Sequence, residues 1–159
     1  MVGDCGDIVT RFHGSYSYSI DNKGRVNIPS KFRSILNPAA QETFTICRAP
    51  DGCLRAYPND LWQIYEAELV SRPETPETLK HKRLLYNTLT DSTMDGQGRI
   101  TLSAKQMEMA GITKDVVLVG QANYVEIWDS ARYAAYQQQF EDDFDQMFFQ
   151  SVEAGIPKR

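Results

Sequence analysis

The side chains most able to do chemistry are a group of bases on one short stretch. From Arg11 to Arg33 the chain carries Arg11, Lys23, Arg25, Lys31 and Arg33 against one acid, Asp21. The chain as a whole is acidic, with a formal net charge of −4. A uniformly basic coat is therefore excluded, but a local patch is not, because a ligand meets the field of nearby charges. Lysine and arginine on an exposed turn can hold phosphates. Arginine can also bridge O6 and N7 of guanine. Spacing alone does not separate the two kinds of contact. Lys23, Arg25, Lys31 and Arg33 are the candidate nucleic-acid-binding residues.

Other chemistries lack their residues. The two histidines, His13 and His81, stand in unrelated contexts, and neither has metal-ligand spacing. No phosphate loop, nucleophile elbow or HExxH is present, so neither an enzyme nor a cofactor or metal is expected. Cys5, Cys47 and Cys53 do not make a disulfide framework. Cys47 and Cys53 flank an expected turn and could face each other across a hairpin; two reduced thiols are the favoured reading. The longest apolar run, "VVLV", is far short of the roughly 18 residues that span a bilayer. The N-terminus has acids where a signal peptide needs a basic region. A cytoplasmic protein with no membrane partner is expected.

The basic stretch, "DNKGRVNIPSKFR" from Asp21, has a second copy, "DGQGRITLSAKQM" from Asp95, 74 residues later. In the second copy Gln97 replaces Lys23 and Met107 replaces Arg33, so its charge is lower. The match continues: Leu54 to Tyr57 aligns with Val125 to Trp128 at an offset of 71. Two tandem units are implied, and one unit of this size buries little core alone.

Each unit must position its turn with the same elements. Tyr16 to Ile20 alternates as a strand, "DNKG" turns with Gly24 at positive φ, and Arg25 to Ile28 returns. Pro29 can open a short helix, "SKFRSIL", where the second unit has Ser103 as an N-cap. Thr43 to Arg48 and Cys53 to Tyr57 form a hairpin. "PNDLWQIYEAELVSR" is a helix with Leu61, Ile64, Tyr65 and Leu69 on one face. "RPETPE" is the linker and "TLKHKRLLYN" a connecting helix. One last helix is expected from about Asp129 to Phe149, its stripe of Tyr133, Tyr136, Phe140, Phe144, Met147 and Phe148 more often core than subunit contact. "SVEAGIPKR" is a frayed tail. The units are placed at 15–62 and 89–132, with a helical linker at 63–88 and a helix and tail at 133–159.

The pattern strand, "D-x-x-G-R", "V-x-I-P-x-x-F-R", short helix resembles the swapped-hairpin DNA-binding domain of the SpoVT–AbrB class. Two copies in order, together with "VVLVGQANYVEIWD", resemble the MraZ family of bacterial transcriptional regulators. The resemblance implies an α+β, β-rich fold: a double-psi or swapped-hairpin AbrB-like barrel built from two tandem repeats, with flanking helices. It implies a ring-like homo-oligomer, associated with the nucleoid, that binds double-stranded DNA at promoter direct repeats upstream of the division and cell-wall gene cluster. It places DNA contacts on the basic loop, here Lys23, Gly24 and Arg25, with Arg99 as the repeat equivalent. The N-terminal extension before Phe12 looks longer than usual, and its acids could modulate the patch. Ser103 and Met107 depart from the first copy and imply a weaker DNA role for the second loop. An antitoxin-like or other protein-interaction module, using the acidic aromatic C-terminal helix, is the alternative.

Overall fold

The structure, a computed structural model, describes residues 11–153 and 155. It is an α+β fold with two sheets and flanking helices. The first unit supplies strands β1 (Ser15–Ser19) and β2 (Arg25–Asn27), helix α1 (Ser30–Ser34), strands β3 (Thr43–Arg48) and β4 (Leu54–Pro58), and helix α2 (Asn59–Ser71). Helix α3 (Pro76–Tyr86) connects the units. The second unit repeats the order: β5 (Thr90–Thr93), β6 (Arg99–Thr101), α4 (Ala104–Ala110), β7 (Asp115–Gly120), β8 (Val125–Asp129) and α5 (Ser130–Phe140). The expected boundaries at 62 and 132 fall inside α2 and α5.

The units exchange their strands. The large sheet runs β1-β7-β8-β4-β3-β5, and β2 and β6 form a separate two-stranded ribbon. β1 of the first unit therefore pairs with β7 of the second, and β5 of the second pairs with β3 of the first. Only the β3–β4 and β7–β8 hairpins stay within a unit. Strand alternation sends Val26 and Ile100 of the ribbon inward, both fully buried. They join one cluster with Phe32, Phe44, Leu54, Leu118 and Ile127, drawn from both units. Burying each such side chain contributes roughly 1.5–3 kcal/mol, and this gain exists only when the units interlock.

Local signals explain the short helices. Pro29 sits at the N-cap of α1 rather than inside it, and its carbonyl accepts from Phe32 N and Arg33 N at 2.9 and 3.0 Å. Ser103 caps α4 through a reciprocal box with Gln106. Gln106 also fills the place that Phe32 fills in the first unit, and it is fully buried. Its Nε2 donates to Thr88 O at 2.8 Å, Ile46 O at 3.2 Å and Thr90 Oγ1 at 3.1 Å. Gln106→Leu strips these buried acceptors of their donor. The expected cost is about 2–4 kcal/mol, read as a lower midpoint in urea unfolding with an unchanged slope.

Cys47 and Cys53 are reduced thiols as expected, and the expectation of one unbroken last helix changes. The register pairs Cys47 with Arg55, not with Cys53. The thiols belong to different clusters and are free; burial pushes Cys47 up to about 11 and Cys53 up to about 12. The last helix is interrupted at Glu141–Asp143 by a 3-10 turn before α6 (Phe144–Phe148) and a π-turn segment, Phe149–Glu153. Two aspartates of modest helix propensity, Asp142 and Asp143, stand at the break. The outer part of the stripe, from Tyr136 to Phe149, is exposed rather than core. The residues before Arg11, including Cys5 and the expected acidic extension, lie outside the described residues, as does most of the tail.

Candidate nucleic-acid interface

Each repeated turn is held by its aspartate. Asp21 Oδ1 accepts from the backbone N–H of Lys23 at 3.0 Å and of Arg25 at 2.8 Å. Its Oδ2 accepts from Arg25 Nε at 2.6 Å. Asp95 repeats the pattern with Gln97 N, Arg99 N and Arg99 Nε at 2.9, 3.0 and 2.8 Å. Aspartate in a turn commonly binds the backbone two residues on. Here it also fixes the arginine root, because only Nε is engaged. Among the described residues, no hydrogen bond occupies the Nη groups of Arg25.

Gly24 has φ +80, and a Cβ there would stand 2.5 Å from Leu102 O. The glycine is thus required twice, by conformation and by the approach of the other unit. Leu102 N donates to Gly24 O at 2.8 Å, and Ile28 N to Gly98 O at 2.9 Å. Each turn is clamped by the unit it does not belong to.

Backbone N–H groups, Arg25 N first, hold the Asp21 carboxyl below its ordinary 3.8, with the Arg25 side chain helping and desolvation opposing. Asp95 is lowered in the same way, Arg99 N first. A carboxylate with a lowered folded value contributes stability above its unfolded value and loses it as pH falls through the folded value. Loop order is therefore expected to be flat from pH 8 to about 5 and to fail only below the ordinary carboxylate range. The amide shifts of Lys23, Arg25, Gln97 and Arg99 in a pH titration would check this.

The ribbon brings the two copies together. Arg25 pairs with Thr101, and Asn27 with Arg99. With Val26 and Ile100 inward, alternation puts Arg25, Asn27, Arg99 and Thr101 on one outer face. Arg99 Nη1 also lies 3.9 Å from Asp21 Oδ2. Lys23 is exposed at one end of this face. Arg33 does not lie beside the first turn. Its guanidinium packs over Gly98, 2.5 Å from where a Cβ would be, while Met107 covers Gly24. The charge that the sequence assigns to the first copy is thereby delivered to the second loop. Lys31 stands apart, with Arg11, His13 and Tyr16 around a separate pocket. Asn27 and Thr101 are face residues that composition could not single out; the period-2 alternation of the return strands was their only signal.

The interlocked repeat with this loop chemistry is matched by a family model. The model, described as "MraZ protein, putative antitoxin-like", covers residues 11–83 and 85–151. The chain belongs to the MraZ family. A relative in Limosilactobacillus fermentum named transcriptional regulator MraZ is 41% identical over 137 residues, covering 86% of this chain and 93% of that protein. One of the same name in Desulfitobacterium hafniense is 39% identical over 146 residues, 91% of this chain and 99% of the relative. Another in Bordetella pertussis is 36% identical over 123 residues, 77% and 85% of the two chains. MraZ membership accounts for the two copies and their order. Among the described residues no helix is long and apolar enough to cross a membrane, and no group of three His, Cys, Asp or Glu could hold a metal.

Proposed function

We propose that this chain is a sequence-specific DNA-binding transcriptional regulator whose reading face is the β2–β6 ribbon with its two flanking turns. The observation that carries this is the convergence of Arg25 and Arg99 on one outer face, each rooted by an aspartate. A two-stranded ribbon fits the major groove, where arginine reads guanine. Lys23 and Arg33 flank the face as phosphate contacts, Gly24 lets the turn approach the backbone, and Lys31 contacts phosphate further out. The large sheet and the ribbon share one core, which supports a closed swapped-hairpin barrel made from units 15–62 and 89–132.

The DNA is the set of promoter direct repeats that the family resemblance implies, and the chain acts as a homo-oligomer, with a ring as the closed form. Several modest patches then engage spaced repeats together, at an effective concentration set by the assembly. Fluorescence anisotropy against the direct-repeat duplex and a scrambled duplex tests the reading. A preference of about 10³-fold or more is expected at physiological salt, with affinity falling steeply as salt rises. Equal affinity for both duplexes would refute sequence specificity. The antitoxin-like alternative rests on the exposed acidic aromatic segment that follows α5.

A further inference from the structure

The outer face of the large sheet carries two pockets at equivalent places in the two units. The first, about 340 Å³, lies between β3–β4 and α2–α3 and is lined by Arg48, Arg55 and Arg72 with Tyr57, Trp62 and Tyr65. The second lies under α5–α6, with Glu126, Trp128, Tyr133, Tyr136 and Phe140 in its lining. At the offset of 71, Arg55 corresponds to Glu126, Tyr57 to Trp128, Trp62 to Tyr133 and Tyr65 to Tyr136. The aromatic character is kept and the charge is reversed.

The first pocket has cationic capacity left over. Arg55 stacks over Tyr124 at 4.4 Å and donates from Nη1 to Tyr57 Oη at 3.2 Å. Its Nε is buried without a hydrogen-bond partner, and among the described residues no carboxylate is within ion-pair distance of it. Arg72 is held by Glu68 at 2.6 Å on an exposed helix end. Such a site suits a ligand that is both anionic and aromatic.

The chain itself exposes a segment of that chemistry. From Ser130 to Val152 one arginine stands against four acids, Glu141, Asp142, Asp143 and Asp145. Phe144, Met147, Phe148 and Phe149 are exposed among them. All the exposed large hydrophobics except Ile35 lie on α2–α3 or on α5 and the segment after it. Exposed apolar surface is concentrated on these two helical arms, and the pocket arginines Arg48, Arg55 and Arg72 are opposite in sign to the four acids of the segment, a combination that marks an interface.

We propose that the acidic aromatic segment Phe140–Phe149 of one copy docks against the Arg55 pocket of a second copy. Asp143 and Asp145 meet the arginine cluster, and Phe144 and Phe148 meet Trp62, Tyr65 and the exposed Ile64 of α2. The contact is head-to-tail: each copy offers one pocket and one segment, so copies add in one direction and close into a ring if the rotation permits. This rests on the self-association stated above and names the surfaces that carry it.

Light scattering of charge-reversed proteins tests the docking. Arg48→Glu with Arg72→Glu reverses the pocket, and Asp143→Lys with Asp145→Lys reverses the segment. All four positions are exposed, and circular dichroism verifies folding. Each reversed protein is expected to fall to single-chain mass. The two mixed, or all four changes in one chain, are expected to recover the wild-type mass. A folded segment-reversed protein that keeps the wild-type mass would overturn the proposal, as would failure of folded reversed proteins to recover on mixing. Binding of adenosine monophosphate, seen by Trp62 fluorescence with no change of mass in the segment-reversed protein, would give the pocket to a small ligand instead. A wild-type protein of single-chain mass at all concentrations would refute self-association itself. Retained binding of the single-chain variants to one repeat would leave the DNA reading standing.

Discussion

Arg25→Ala and Arg99→Ala are expected to weaken binding to the repeat duplex by similar factors, about 10- to 100-fold each, corresponding to roughly 1–3 kcal/mol per base-reading arginine. Counting charge along the sequence points to a dominant first copy. The structure argues for parity. Both arginines are rooted by an aspartate through Nε, and both lie on the outer face of one ribbon. The extra base of the first copy, Arg33, packs on the second loop, which compensates for the loss of lysine at Gln97. The double variant is expected to lose at least the product of the single effects, because each copy in an assembly loses its face at once. Anisotropy at matched salt separates the cases. Arg99→Ala binding like wild type while Arg25→Ala fails would reduce the second loop to a structural role. Loss of specificity in the arginine variants, but only of overall affinity in Lys31→Ala, would assign bases to the former and phosphate to the latter.

The other large expected effect is on folding. Residues 1–88 alone are expected not to fold as a monomer. That fragment keeps the β3–β4 hairpin but loses β7 as the partner of β1, β6 as the partner of β2 and β5 as the partner of β3. It also loses Ile100, Leu118 and Ile127 from the core. A remnant of this kind cannot bury enough surface to offset chain entropy. Two fragments can supply each other's missing strands, so the expected species are an unfolded chain at low concentration and a swapped dimer at high concentration. Size-exclusion chromatography with circular dichroism reads both. A monomeric fragment with a cooperative thermal transition would contradict the interlocked account.

Much of this was legible from residues close together in sequence. Asp21 and Gly24 announce their turn because the stabilising bonds run two to four residues away. Ser103 announces its helix because a cap acts within three residues. What was not legible crosses between the units. The pairing of Cys47 with Arg55 depends on a register set by strand partners. Arg33 reaches Gly98 only because the strands swap, so a charge tally by copy assigned it to the wrong loop. Gln106 stands at the position of Phe32, and nothing local reveals that three acceptors from β3, β5 and the preceding turn await it. The aromatic stripe of the last helix has core-like spacing, yet the break at Glu141–Asp143 and the absence of a covering element within the described residues leave it at the surface.

The central claim is that two copies of one motif make a single DNA face. Photo-crosslinking tests it most directly, with a benzophenone amino acid placed singly at Asn27, at Thr101 and, as a control, at Ile64 on α2. Asn27 and Thr101 lie on the outer face of the ribbon, one from each unit, whereas Ile64 lies on a helix outside it. Crosslinks from both Asn27 and Thr101 to the repeat duplex, and none from Ile64, are the predicted result. Crosslinking from Asn27 alone, or from Ile64 in preference to either, would contradict it.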